Sequence, residues 1–256
     1  MSNFDWDRVL SDTLDWTGRE YTEWIITQVL KRSSPQIDFF LTLGPGMTGT
    51  EAWVFREHYP DLKIIGAEPQ NDRYNFLKEK FPGTLLNCAV SAQECKVAGW
   101  MGHKDGRSDF WLSATGKNRE YYLKEEVQCT TVDNILEGVT GQGFLWMDIE
   151  GAEFEAIRGA LISLATAKII FANIEVNFTK KDQSHYEPEL LIQLLHSLNF
   201  IAVGGPNMSQ KETNGWVHVD QVGITSEGHT DILFANFGYG HGIPLNYLKV
   251  MRSADK

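Results

Sequence analysis

Gly44, Gly46 and Gly49 stand at G-x-G-x-x-G spacing directly after the apolar run Phe39 to Leu43. Glycines at a strand-to-helix turn allow positive φ and close backbone approach to a ligand, and the following helix aims its free N–H groups at whatever sits there. Glu68 ends the next apolar run, "LKIIGAEP". A carboxylate at that separation from a glycine loop can accept hydrogen bonds from both hydroxyls of a ribose. These two features predict a nucleotide-type ligand without choosing between NAD, which would place a pyrophosphate on the loop, and S-adenosylmethionine, which would place an amino-acid tail there.

The choice turns on "LWMDIEGAEFEAIRGA", where Asp148, Glu150 and Glu153 crowd one turn. Acidic residues at a helix N-terminus gain about 0.3–1 kcal/mol from the macrodipole, so plain capping accounts for part of the cluster. The same carboxylates at the carboxyl edge of a parallel sheet also suit a cationic ligand, a hydroxyl to be deprotonated, or Mg²⁺ held by Asp148 and Glu150. They suit a pyrophosphate poorly. The cluster therefore favours a sulfonium cofactor, with Asp148 as the first candidate for a base or metal ligand. Glu175 at the end of "FANIEVNF" and His185 in "TKKDQSHYEP" are further catalytic candidates, each in or just after an apolar strand-like run.

Elements that would position these residues are legible as a rhythm. The runs "IDFFLTL", "LKIIGAEP", "GTLLNCAVS", "GFLWMD", "AKIIFANIEVNF", "FIAVGG" and "HTDILFANFG" read as strands, with helical periodicity between most of them. Such alternation predicts an α/β fold, a mostly parallel sheet with helices on both faces. Residues 96–131 break the rhythm with short strand-like runs and predict a small β insertion. Residues 1–35 carry apolar positions at helical intervals up to Ser33-Ser34-Pro35 and predict N-terminal helices that pack on the domain, cap the site or make a homo-oligomer contact. The main domain is expected over 36–256.

The segments "LTLGPGMTGTEAW", "GAEPQ", "LNCAVS", "CTTVDNIL" and "MDIEGAEFEAIRGA", in that order, resemble the FkbM-type methyltransferases from about Asp38 to Phe200, and "TDILFAN" is similar to the closing strand of that family. The resemblance implies the seven-stranded, Rossmann-like class I methyltransferase fold, S-adenosyl-L-methionine as cofactor, and methyl transfer to a hydroxyl of a sugar, glycan or natural product. By position it implies that Gly44, Gly46 and Gly49 line the methionine and ribose end of the cofactor, and that Glu68 binds the ribose. It further implies that Ala89 and Val90 border the adenine and that Asp148 lies beside the reacting methyl. Where the family commonly has a lysine ahead of the DIEG turn, this chain has Trp146. A nicotinamide-dependent oxidoreductase and a non-catalytic binding module on the same fold are the alternative readings.

Bulk composition narrows the partners. A net charge of −11 over 256 residues argues against a nucleic-acid-coating surface, since phosphate binding rests on Lys and Arg. No apolar run approaches the ~20 residues of a membrane span, and the N-terminus lacks a basic and apolar leader pattern, so a cytoplasmic location is expected. The three cysteines, Cys88, Cys95 and Cys129, show no C-x-x-C spacing and are expected as reduced, buried thiols.

Overall fold

The protein is described from a computed structural model, which covers residues 16–32, 36–101, 110–112, 123–149, 151–177, 188–204 and 229–236. Its centre is a seven-stranded sheet built from β1 (Phe39–Leu43), β2 (Lys63–Ala67), β3 (Thr84–Leu86), β8 (Gly143–Met147), β9 (Ile169–Asn177), β10 (Phe200–Gly204) and β11 (His229–Asn236). The spatial order is β10-β11-β9-β8-β1-β2-β3, with only β11 antiparallel to its neighbours. β1 and β8 are buried at every position, as strands covered on both faces must be.

Alternation along β1 divides the core. Phe39, Leu41 and Leu43 point into a cluster with Ala156, Ile157, Leu164, Leu191 and Leu195. Those residues come from α5 (Glu153–Arg158), α6 (Leu161–Ala165) and α7 (Pro188–Ser197), and α4 (Val132–Ile135) joins them through Val132. Phe40 points the other way, stacked on Phe55 of α2 (Thr50–His58) with ring centroids 3.9 Å apart. Each such ring or aliphatic side chain, fully buried, stabilises the fold by about 1.5–3 kcal/mol. The remaining helix of the domain, α3 (Asn71–Leu77), follows β2 and buries Leu77.

Of the N-terminal segment, residues 16–32 belong to this second layer, and 1–15 and 33–35 lie outside the described residues. α1 (Trp16–Trp24) runs into a π-turn at Ile25–Val29 and a 3₁₀ turn at Leu30–Arg32, and it buries Tyr21, Ile25, Ile26, Val29 and Leu30 against the sheet. Arg19 pairs with Glu57 of α2 at 2.5 Å. Trp146, at the position where a lysine is common, is a core side chain here, 5.7 Å centroid to centroid from Tyr21 in an edge contact. A second sheet of four strands, β4 (Ala89–Val90), β5 (Cys95–Met101), β6 (Phe110–Leu112) and β7 (Leu123–Thr130), has the order β4-β7-β5-β6.

Two elements differ from the sequence-based expectation. "GTLLNCAVS" reads as one strand, but the chain leaves the main sheet after Leu86 and enters the second sheet at Ala89. Asn87 makes the break, donating from its side chain to the carbonyls of Glu68 and Pro69. The helix expected over "FEAIRGALISLA" is broken at Gly159, where an added Cβ would lie 2.1 Å from the Ser91 carbonyl oxygen. Asp133 restarts it by accepting hydrogen bonds from Ile162 N and Ser163 N at 3.0 and 2.8 Å. Among the described residues, no helix is long and apolar enough to cross a membrane.

Candidate active site

The carboxyl ends of β1, β2, β3 and β8 are tied together just beyond the last ladder pairs. Asp148 N donates to the Leu43 carbonyl, Gly44 N to that of Ala67, and Glu68 N to that of Leu86, all at 3.0–3.1 Å. The loops leaving these strands are thereby held side by side and enclose a cleft of about 230 Å³. That is somewhat below the ~300–1,000 Å³ of most small-molecule sites. Its lining includes Gly44, Gly46, Glu68, Ala89, Val90 and Asp148.

The glycine loop has a different reason for each glycine. Gly44, at φ +75°, lies against the loop from β8, and an added Cβ would stand 1.9 Å from the Asp148 carbonyl oxygen. Gly46, at φ +63°, would meet nothing within 4 Å, so its backbone lies open to the cleft. Gly49, at φ +56°, starts α2 next to the Phe81 ring and is not among the residues lining the cleft. Gly44→Ala combines an overlap with backbone and a left-handed conformation, so we expect at least about 2 kcal/mol of lost stability. Urea unfolding measures it, and an unchanged midpoint would show that the two loops part without cost.

Glu68 is 1 % exposed. Its Oε1 accepts from Gln70 N at 2.9 Å, whereas Oε2 is buried with no hydrogen-bond partner among the described residues. Burial pushes the carboxyl up to about 7, with the Gln70 amide and the nearby Arg73 guanidinium pulling the other way. A carboxylate oxygen left in this state costs the fold free energy unless a donor arrives. Two ribose hydroxyls are donors of the kind it lacks, so the residues present fit an adenosine-bearing cofactor. Arg73, which also lines the cleft, was not singled out from sequence; the signal was a basic residue in the first turn of α3, just after the acidic strand end.

The acidic turn separates into three different residues. Asp148 is exposed and lines the cleft. Glu153 is 1 % exposed and folds back into its own turn, where Oε1 accepts from Gly151 N at 3.0 Å and Ile149 N at 3.3 Å. It holds the turn in shape, as helix-start carboxylates do. Glu150 lies outside the described residues, as does His185. Among the described residues, which do not include Glu150, no three His, Cys, Asp or Glu side chains come together as a cation site. Glu175 is half-buried on β9 opposite Asp231 of β11 and is not among the residues lining the cleft.

A second polar group, invisible from sequence, lies beside it under α1. Tyr21 donates to Asn173 Oδ1 at 2.5 Å, and Asn173 Nδ2 donates to Asp231 Oδ1 at 2.9 Å. Thr42 donates to Glu51 at 2.9 Å. Burial pushes Glu51 up to about 7 and Asp231 up to about 6. With Glu68, three carboxyls therefore bind protons more tightly in the folded chain than in the unfolded one. Their cost is absent below the unfolded values near 4, grows as pH rises, and is complete above about 7. The ligand-free protein should accordingly be more stable at pH 5 than at pH 8. Glu51→Gln should flatten that slope, and denaturant midpoints that rise with pH would contradict it.

An α/β domain with a glycine loop, a buried carboxylate and an acidic turn on one edge has the layout of a nucleotide-cofactor enzyme. Sequence comparison makes it specific: residues 50–202 match the Methyltransferase FkbM domain, and the chain belongs to that family of S-adenosylmethionine-dependent methyltransferases. No curated protein sequence matches the chain. Among solved structures it is similar to a provisionally named O-methyltransferase from Klebsiella pneumoniae, with 11 % identity, TM-score 0.47, and 90 % of this chain and 89 % of that one covered. The METTL16 methyltransferase domain gives 9 % identity and TM-score 0.46, covering 85 % of this chain and 66 % of that one. A 1,6-didemethyltoxoflavin-N1-methyltransferase from Burkholderia thailandensis, with bound S-adenosylhomocysteine, gives 12 % and 0.39, covering 91 % and 85 %. The family assignment rests on the sequence match and not on these distant likenesses.

Proposed function

We propose that the protein transfers a methyl group from S-adenosylmethionine to a hydroxyl of a sugar, glycan or natural product, with the cleft at the ends of β1, β2 and β8 holding the cofactor. The observation that carries this reading is Glu68: a buried carboxylate with one oxygen awaiting a donor, in the same cleft as Gly46 and Asp148. Bound S-adenosylmethionine supplies an activated methyl on a sulfonium. Glu68 accepts hydrogen bonds from the ribose hydroxyls, Gly44 and Gly46 let the main chain approach the methionine end, and Ala89 and Val90 give the adenine an apolar wall. Gly49 contributes by setting the entry angle of α2 behind the loop.

A neutral hydroxyl is a weak nucleophile, so the acceptor needs a group that takes its proton. Asp148 is the side chain at the open rim of the cleft and takes that role. Alignment of donor and acceptor supplies much of the remaining rate. Glu175 is an acceptor-side candidate because β9 runs parallel to β8, so its carboxyl end lies on the same edge of the sheet, and His185 is kept as a second candidate from its place in the sequence. A small-molecule or glycan acceptor, rather than nucleic acid, agrees with the net charge of −11.

Calorimetric titration with S-adenosylmethionine, S-adenosylhomocysteine and NAD, followed by methyl transfer to a panel of hydroxyl acceptors, tests the reading. Both sulfur ligands should bind and NAD should not. Binding of S-adenosylhomocysteine with transfer only to nitrogen or carbon acceptors would overturn the hydroxyl assignment.

A further inference from the structure

Cys95 and Cys129 pack together in the second sheet beside Ala89 and Val127, and Cys88 lies just before β4 against the core of the main sheet. Cys95 of β5 and Cys129 of β7 face each other directly across an antiparallel ladder, and Cys129 also faces Ala89 of β4. The Cys95 thiol lies within hydrogen-bond reach of Cys129, and Cys88 is near enough to act on Cys129 electrostatically. Facing residues on antiparallel strands have Cα atoms ~4.5 or ~5.5 Å apart, and either distance lies inside the ~4.4–6.8 Å that disulfides span. The group does not have the arrangement of a metal site among the described residues. Sequence spacing gives no hint of the pair, because the two cysteines are brought together only by strand register.

We propose that Cys95 and Cys129 form a redox-modifiable dithiol that closes to a cross-strand disulfide by exchange with a low-molecular-weight disulfide. Cys95 is half-buried and Cys129 buried, so Cys95 is the entry point. Its thiol gives a proton to solvent, and the thiolate attacks one sulfur of the external disulfide, whose S–S bond breaks and releases one external thiol. Cys129 then loses its proton and attacks the Cys95 sulfur, releasing the second external thiol. Two protein thiols are oxidised to one disulfide, and one external disulfide is reduced to two thiols. Burial, with Cys95 beside it, pushes the Cys129 thiol up to about 12, so the second step is slow. The modified pair sits one strand behind the cleft wall, since β7 at Cys129-Thr130 is the ladder neighbour of Ala89-Val90.

The test uses the full chain, equilibrated in mixtures of reduced and oxidised glutathione, quenched with acid, alkylated and mapped by peptide mass spectrometry. The expected product links the Cys95 and Cys129 peptides, leaves Cys88 alkylatable after unfolding, and is reversed by dithiothreitol. Cys88→Ser should retain the link and Cys95→Ser should abolish it; Cys95→Ser also serves should Cys129→Ser fail to fold. Glutathione retained on Cys95 with Cys129 still a free thiol across the whole series would overturn the proposal. A link that includes Cys88 would overturn it equally.

Discussion

Asp148→Asn should lower kcat by about 10²–10⁴-fold, the range that a positioned general base contributes. Asparagine keeps the shape of the side chain and removes its ability to accept a proton. The geometry makes this the sharpest catalytic test, because Asp148 combines exposure with a place in the cleft lining, whereas Glu153 is spent on its own turn. Its backbone is also fixed on both sides, through the hydrogen bond to Leu43 and the close contact with Gly44, so the substitution should not move the loop. S-adenosylhomocysteine, which lacks the transferable methyl and its charge, should bind the variant within a few-fold of wild type. Steady-state kinetics on the acceptor found by the panel give the answer. A kcat within tenfold of wild type would remove Asp148 as the base and pass the role to Glu175 or His185, whose Gln and Ala variants are the next to measure.

What was legible in the sequence was what is local. The apolar strand, glycine turn and helix at Phe39–His58 lie within one stretch of chain, as do β2 and Glu68, and their periodicity declares them. Gly159-Ala160 was readable as a motif but not as a mechanism: the glycine is needed because the Ser91 carbonyl packs against it, and only the folded chain shows that. The two roles of Asp148 and Glu153, one facing the cleft and one folded inward, look identical as letters. Asn87, which ends β3 early, reads as an ordinary strand residue until its side chain is seen holding the Glu68 loop. The Tyr21–Asn173–Asp231 network spans residues 152 and 58 positions apart, so no window of sequence contains it. The same holds for Cys95 and Cys129, which strand register alone puts face to face. Trp146 stands out in the sequence only as a departure in a motif, and the fold shows it as a core side chain beside Tyr21 and Phe144.

Glu68→Gln should weaken S-adenosylhomocysteine binding by about 10–100-fold, the loss expected when hydrogen bonds to a charged acceptor worth ~1.5–3 kcal/mol are removed. Glutamine can still accept from Gln70 N through its carbonyl oxygen, but it replaces the charged acceptor Oε2 with an amide N–H, so the ribose hydroxyls lose the acceptor they would donate to. The folded chain should not suffer in parallel. The wild-type carboxylate, pushed up to about 7 by burial, buries a charge at pH 8, whereas the neutral amide carries only the smaller cost of its buried N–H groups. Affinity and stability should therefore move in opposite directions, a pattern that a merely structural Glu68 cannot produce. A pH series adds a second signature. Ribose hydroxyls bond best to the ionised carboxylate, so wild-type affinity should rise as pH passes upward through about 7, and the rise should be lost in the variant. Glu68→Ala should lose affinity too, but it strands the Gln70 amide and so destabilises the fold, which makes the glutamine variant the cleaner measurement. Unchanged affinity in Glu68→Gln at pH 8 would place the ribose elsewhere and withdraw the cleft as the cofactor site.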